Sequence, residues 1–170
     1  MHLDDIVEFS IRIVKASLRI LGRHFDKYLI PFLQNVIAAY KLNHLASFLY
    51  AVEFCLLDYS THREYEAIFQ DAFDHLSHHT ITKVLTDFRD YEDNPDVAFD
   101  FFGLCCRLIK VNKTLFFKSP SLEGILNMWV IGIGIDNQDA IKTHQSFFCQ
   151  LLNTINNDLS KVAPLMNSEE

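Results

Sequence analysis

Glycine and proline are scarce in this chain, 5 and 4 among 170 residues. So few breakers exclude a loop-rich fold and leave room for long regular elements. Alternation of β-branched and polar residues is rare as well, which argues against sheets. Cys55, Cys105, Cys106 and Cys149 include no C-x-x-C pair and all fall on predicted apolar helix faces. They read as reduced, buried thiols of an intracellular protein, not as a disulfide framework. No apolar run approaches the roughly 20 residues of a membrane span. The longest, 125–135, contains Asn127, so no membrane insertion is expected. His2, Asp4, Asp5 and Glu8 break the apolar start that a secretory signal requires. A basic face is missing too: 15 Lys and Arg stand against 22 Asp and Glu, a formal charge of -7. Direct nucleic-acid binding is therefore not expected, whereas an Arg- or Lys-rich protein partner suits such a surface. Acidity of this size also serves solubility alone.

What the chain has in abundance is apolar mass. Hydrophobic residues make up 49% of it, with 15 Phe, enough for a real core in one domain. These residues recur at helical spacing. Over 3–21, Glu8, Arg12, Lys15 and Arg19 form a solvated stripe, and Ile6, Val7, Ile13, Val14, Ile20 and Leu21 are the expected buried side. Gly22 is a natural stop. A second helix follows with Pro31 expected in its first turn. A third spans 44–58. Segments 63–75 and 80–91 form a bent partner, ended by an acidic break at 90–93. Asn94-Pro95-Asp96 is a strong helix start, with Asn as cap, Pro at the first position and an acid in the first turn. That helix is expected to run to about Lys110. Ser119-Pro120 repeats the signal, the next helix fades at Gly132 and Gly134, and Asp136 or Asn137 caps a last helix over 138–155. Ile141, Phe148, Leu151, Leu152 and Ile155 carry its expected stripe. Residues 158–170, with Pro164, read as a flexible tail.

Helix pairs thus begin near Leu3, His44, Pro95 and Gln138, at offsets of roughly forty to fifty residues, the period of HEAT and armadillo arrays. Each pair is too apolar to stand alone, and stacking buries one continuous core. The expected fold is all-α: an α-solenoid of stacked HEAT-type antiparallel helix pairs, about three and a half repeats over 1–157. Both ends present half-satisfied faces, so the chain reads as a slice of a longer solenoid.

Several stretches also resemble a known family. IVEFSIRIVKASLRILG (6–22) and HLASFLYAVEFCLLDY (44–59) are similar to outer helices of the importin-β-type karyopherins, the nuclear transport receptors. DNPDVAFDFFGLCCRLI (93–109) and PSLEGILNMWVIGIGIDNQDAIKTHQSFF (120–148) resemble the transportin-SR branch. The likeness runs from about Ile6 to Ile155 and is carried by order and spacing. It implies an internal block of a non-catalytic receptor that needs no cofactor and shuttles between nucleus and cytoplasm. Its partners would be cargo protein, the Ran GTPase and nuclear pore proteins, the last two through a full-length parent. Arg107 matches a basic position of that branch. Ser146 and Cys149 stand where its last helix carries arginines.

Four polar features compete as sites. Asp71, His75 and His79 step by four along one helix, with His78 adjacent, as a two-His metal site would. There is no H-E-x-x-H, and an exposed polar stripe explains the spacing equally. Gly132-Ile-Gly134 lacks the strand, third glycine and lysine of a phosphate loop. Cys105-Cys106 has only Arg107 as a basic neighbour, which favours packing over redox chemistry. The acidic cluster Asp87, Asp90, Glu92, Asp93, Asp96 and Asp100 is the best candidate contact for cargo or Ran, together with Arg107. Carboxylates there can take Arg and Lys through charge-assisted hydrogen bonds. They can equally serve helix N-termini. Cargo is expected on the rows formed by 26–40, 80–91 and 120–130. A HEAT scaffold subunit without transport activity is the alternative reading.

Overall fold

The computed structural model describes the backbone of residues 3–166 and the side chains of residues 3–158. Among the described residues eight α-helices follow one another: α1 (Leu3–Leu21), α2 (Asp26–Asn43), α3 (Ala46–Asp58), α4 (Glu66–His79), α5 (Phe88–Asp93), α6 (Pro95–Lys118), α7 (Leu122–Ile131) and α8 (Gln138–Met166). No strand occurs among the described residues. The helices form two layers. In the first, α1 packs on α3, α3 on α6, and α6 on α8. In the second, α2 packs on α4, and the segment after α4 packs on α7. The layers meet through α2 on α3 and through α4 and α7 on α6. The chain is therefore an all-α stack of HEAT-like pairs, as the apolar periodicity requires.

The core is a single run of apolar side chains from Ile11 to Leu151. Its centre is aromatic. Phe102 touches Phe101, Phe147 and the ring of His144, at centroid distances of 5.6, 5.1 and 4.2 Å, and Phe116 meets Phe73 and Phe147. Each such ring, fully buried, is worth about 1.5–3 kcal/mol of apolar transfer.

Several helices differ from the sequence expectation for identifiable reasons. Pro31 lies inside α2, not in its first turn. The helix starts earlier because Gly22, at φ +50°, lets the chain pass from α1 into a 3₁₀ turn (Gly22–Phe25) that runs straight into α2. α2 also continues through Asn43, and the turn sits at His44, in the left-handed conformation at φ 57°, with α3 starting at Ala46. α4 does not break near His79. It continues into a π-helical segment, Thr80–Val84, closed by Leu85 N–H donating to Thr80 O at 2.9 Å. The true break is 85–87, and the acidic stretch expected to interrupt the chain is itself helix α5. α6 extends to Lys118, well past Lys110, through a kink at Asn112 (φ -151°, ψ 82°) whose side-chain amide donates to Glu66 Oε1 at 3.0 Å. α8 continues to Met166; the side chains of the expected tail beyond residue 158 lie outside the described residues.

Two buried faces are rotated from those expected. α1 buries Ile11 and Leu18, while Ile6, Ile13 and Ile20 are exposed. α8 buries Ala140, His144, Phe147 and Leu151, and Phe148 turns outward onto Trp129, stacked at 4.5 Å. Cys149 is exposed, contrary to its expected burial. Helices in a stack contact neighbours on two sides, so the apolar arc is wider than one stripe and its centre cannot be read from spacing alone.

Gly132 is required by close approach. A Cβ there would lie 2.5 Å from His144 Nε2 and 2.5 Å from Tyr91 Cε1. Gly132→Ala is expected to cost about 1–3 kcal/mol by overpacking. Gly22→Ala, where space is open and only the positive φ resists, is expected to cost about 1 kcal/mol. Urea unfolding of both variants checks the order.

Candidate interaction surface

The acidic residues fall into two groups with different work. Asp87 Oδ1 accepts from the Asp90 backbone N–H at 3.0 Å and caps α5. Asp90 Oδ2 in turn accepts from Thr86 N–H at 2.8 Å and from its hydroxyl at 2.5 Å. These bonds, the Thr86 hydroxyl first, hold the Asp90 carboxyl below the usual carboxylate range. Both side chains are spent on closing the break at 85–87. Glu92 and Asp93 are exposed at the end of α5.

Asp96 and Asp100 belong to a second group. One turn apart on α6, they line a groove of about 390 Å³ with Glu8 and Arg12 of α1 and Ser47 and Tyr50 of α3. Glu53 of α3 and Arg107 of α6 lie beside it, joined by two contacts of 3.1 Å, from Arg107 Nε and Nη2 to Glu53 Oε1. Glu8 and Arg12 form an exposed pair at 2.5 Å. Lys15 bonds the Tyr50 hydroxyl and sits 4.7 Å from the Tyr50 ring centroid. The carboxylates outnumber the local cations. Asp100 records the imbalance: burial, then Glu53, Asp96 and Glu8, push its carboxyl up to about 7. Desolvation and like charge both disfavour its ionised form.

Of the residues singled out from the sequence, Asp96, Asp100 and Arg107 are thus brought to one seam between α1, α3 and α6. Asp87, Asp90, Glu92 and Asp93 are not. The seam belongs to the first layer, away from the second-layer rows where cargo was expected. Glu8, Glu53 and Tyr50 were missed, because their approach to α6 is a tertiary event. The signal available was Glu53 itself, the one charge in the apolar stretch Ala51–Leu57.

The histidine stripe does not converge. His75 lies 3.6 Å from Asp71 on the surface. His79 turns inward, its ring 5.1 Å from that of His44 and 5.8 Å from Tyr40. Burial, with His44 and Lys41 next, lowers its pKa. Among the described residues no three His, Cys, Asp or Glu side chains are placed to hold a metal ion. Burial raises the thiol pKa values of Cys55 and Cys105 and pushes Cys106 up to about 11, which leaves all three protonated and unreactive near neutrality.

No family model matches this chain. Among curated proteins it is similar to Transportin MOS14 of Arabidopsis thaliana, 23% identical over 145 residues. The match covers 85% of this chain and 15% of that protein. That likeness points to a karyopherin-like relationship.

Asp100 supplies a test of the seam. Its folded pKa lies above the unfolded carboxylate value, so the folded state holds the extra proton and stability falls as pH rises from about 4 to about 7. Asp100→Asn removes the penalty. It is expected to stabilise the chain by on the order of 1–3 kcal/mol at pH 8 and by almost nothing below about pH 4. Denaturant midpoints of both proteins across that range decide the matter.

Proposed function

We propose that this chain is a binding segment of a nuclear transport receptor, which takes up basic protein cargo on its acidic seam. The observation that carries the reading is the coincidence of a HEAT-like stack with a transportin likeness spread over 85% of the chain. The seam then supplies the chemistry. Glu8, Glu53, Asp96 and Asp100 gather carboxylates from three neighbouring helices of the first layer, and an Arg side chain entering the groove would offer five donors to them. Affinity would be spread over many shallow contacts, as repeat surfaces permit. Binding, not catalysis, is the work proposed, with GTP-loaded Ran as the releasing partner and nuclear pore proteins as further contacts of a longer parent. On this reading the protein shuttles between nucleus and cytoplasm.

A labelled Arg/Ser-rich peptide titrated with the 170-residue chain tests the proposal by fluorescence anisotropy. Binding is expected, weakening as salt is raised, and the Asp96→Asn, Asp100→Asn double variant is expected to weaken it about tenfold or more, the loss of one charge-assisted bond. A Glu/Ser-rich peptide of equal length should not bind. Equal affinity for both peptides, or none for either, rejects the cargo assignment. Basic cargo that stays bound to a full-length parent when GTP-loaded Ran is added would assign a fixed scaffold instead.

A further inference from the structure

Four of the chain's eight histidines gather with two lysines at one corner of the second layer. α2 closes there with Lys41 and the capping His44, α4 closes with His75, His78 and His79, and the π-helical segment adds Lys83. The His44 and His79 rings lie 5.1 Å apart, and Lys41 Nζ lies 3.4 Å from His75 Nδ1. Beyond burial, the groups that act on the His79 ring are His44, Lys41, Lys83 and His78, all of them bases. Its Nε2 is buried and has no hydrogen-bond partner among the described residues. Lys41, His75, His78 and Lys83 are exposed, and His44 is half-buried.

Acids are few around this corner. Asp71 stands 3.6 Å from His75 Nε2. The carboxylate that reaches Tyr40, beneath the cluster, is Asp96 of α6. From α7 the contact is apolar, Ile81 lying against Gly124. A surface serving solubility alone would intersperse the two signs. Here like charges collect instead, and the C-terminal carbonyls of α2 and α4 make that tolerable. The sequence concealed the corner because its residues come from two stretches, 41–44 and 75–83, inside a chain of formal charge -7.

We propose that this corner is an acid-gated docking surface for an acidic segment of a protein partner, whose Asp and Glu side chains lie on Lys41, His44, His75 and Lys83. Imidazoles as a class charge as pH falls through about 6.5, so the corner gains positive charge on mild acidification. His75 shows how the gate works. While neutral, its Nδ1 accepts from Lys41. Once protonated it accepts nothing, and ammonium and imidazolium stand face to face. A carboxylate placed between them takes a charge-assisted bond from each. Binding and proton uptake therefore favour each other. A peptide fits better than a nucleic acid, which needs an extended basic track for its phosphates; this corner is narrow, flanked by Asp71, and set on an acidic chain. The site is separate from the seam and stands whether or not basic cargo binds there.

Fluorescence anisotropy with a labelled Glu/Ser-rich peptide and the 170-residue chain tests this at two pH values. The peptide is expected to stay unbound at pH 7.5 and to bind at pH 6, more weakly as salt is raised. Lys41→Gln with Lys83→Gln, and separately His44→Asn with His75→Gln, are each expected to weaken binding at pH 6 about three- to tenfold. Circular dichroism checks that both variants fold, and Lys41→Gln or His75→Gln alone replaces a pair that does not. No binding at pH 6 overturns the proposal. So does binding that neither pair of substitutions weakens, or equal affinity for a single-stranded RNA of matched charge, which would make the corner a general polyanion site.

Discussion

The rest of the structure depends on one constraint: no helix here can bury its apolar side against a single neighbour. α6 shows it most fully. Val97, Phe101, Leu104, Cys105 and Leu108 are all buried, along with Phe102, Ile109 and Phe116, and together they occupy more than one side of the helix. Such a helix is stable only between partners, and α3 and α8 take its two sides. The same demand passes along the stack, so each helix is positioned by those beside it and the order of the chain becomes the order of the layer.

Buried polar groups then have to be satisfied across that packing, and they tie the layers together. Thr80 donates to Leu76 O at 2.8 Å, so the Tyr40 hydroxyl, 2.7 Å away, donates to Thr80 Oγ1 and links α2 to the π-helical turn. The Tyr91 hydroxyl donates to Met128 O at 2.7 Å, fastening α5 to α7. Trp129 Nε1 donates to His144 O at 3.1 Å, and this joins α7 to α8. His144 Nδ1 faces the Ala140 carbonyl at 3.0 Å and must donate to it, which leaves Nε2 unprotonated, buried and without a hydrogen-bond partner among the described residues. Burial lowers the pKa of His144 and keeps that tautomer neutral.

How much of this was legible follows from which signals are local. α1 ends where expected because Gly22 can take the positive φ that the turn needs. Asn137 does cap α8, accepting from the Asp139 and Ala140 N–H groups at 3.1 and 3.0 Å. The start of α6 at Pro95 was equally plain, but Asn94 makes no side-chain cap: its amide donates back to Asp90 O at 3.0 Å. What spacing could not show was the phase of a face contacted from two sides, hence Phe147 inside and Phe148 outside. Nor could it show the kink at Asn112, whose partner Glu66 is remote in sequence, or the break at 85–87, where no glycine or proline marks the chain. The seam was half visible. Asp96, Asp100 and Arg107 stand close in sequence, but Glu8 and Glu53 reach them only through the stacking of α1 and α3 on α6.

That dependence has a consequence for binding. The carboxylates of the seam come from three separate helices, so their spacing is set by the stack and not by any one loop. Burial, then Glu53, Asp96 and Glu8, push the Asp100 carboxyl up to about 7, and Arg107 pairs with Glu53. A cation placed among them would lower the cost of ionising Asp100 and relieve repulsion between α1, α3 and α6 at once. By linkage, the same cation would favour the packed arrangement that brings those helices together. On the proposed reading, recognition and stack stability are one equilibrium, with a basic side chain supplying the charge that balances Glu8, Glu53, Asp96 and Asp100.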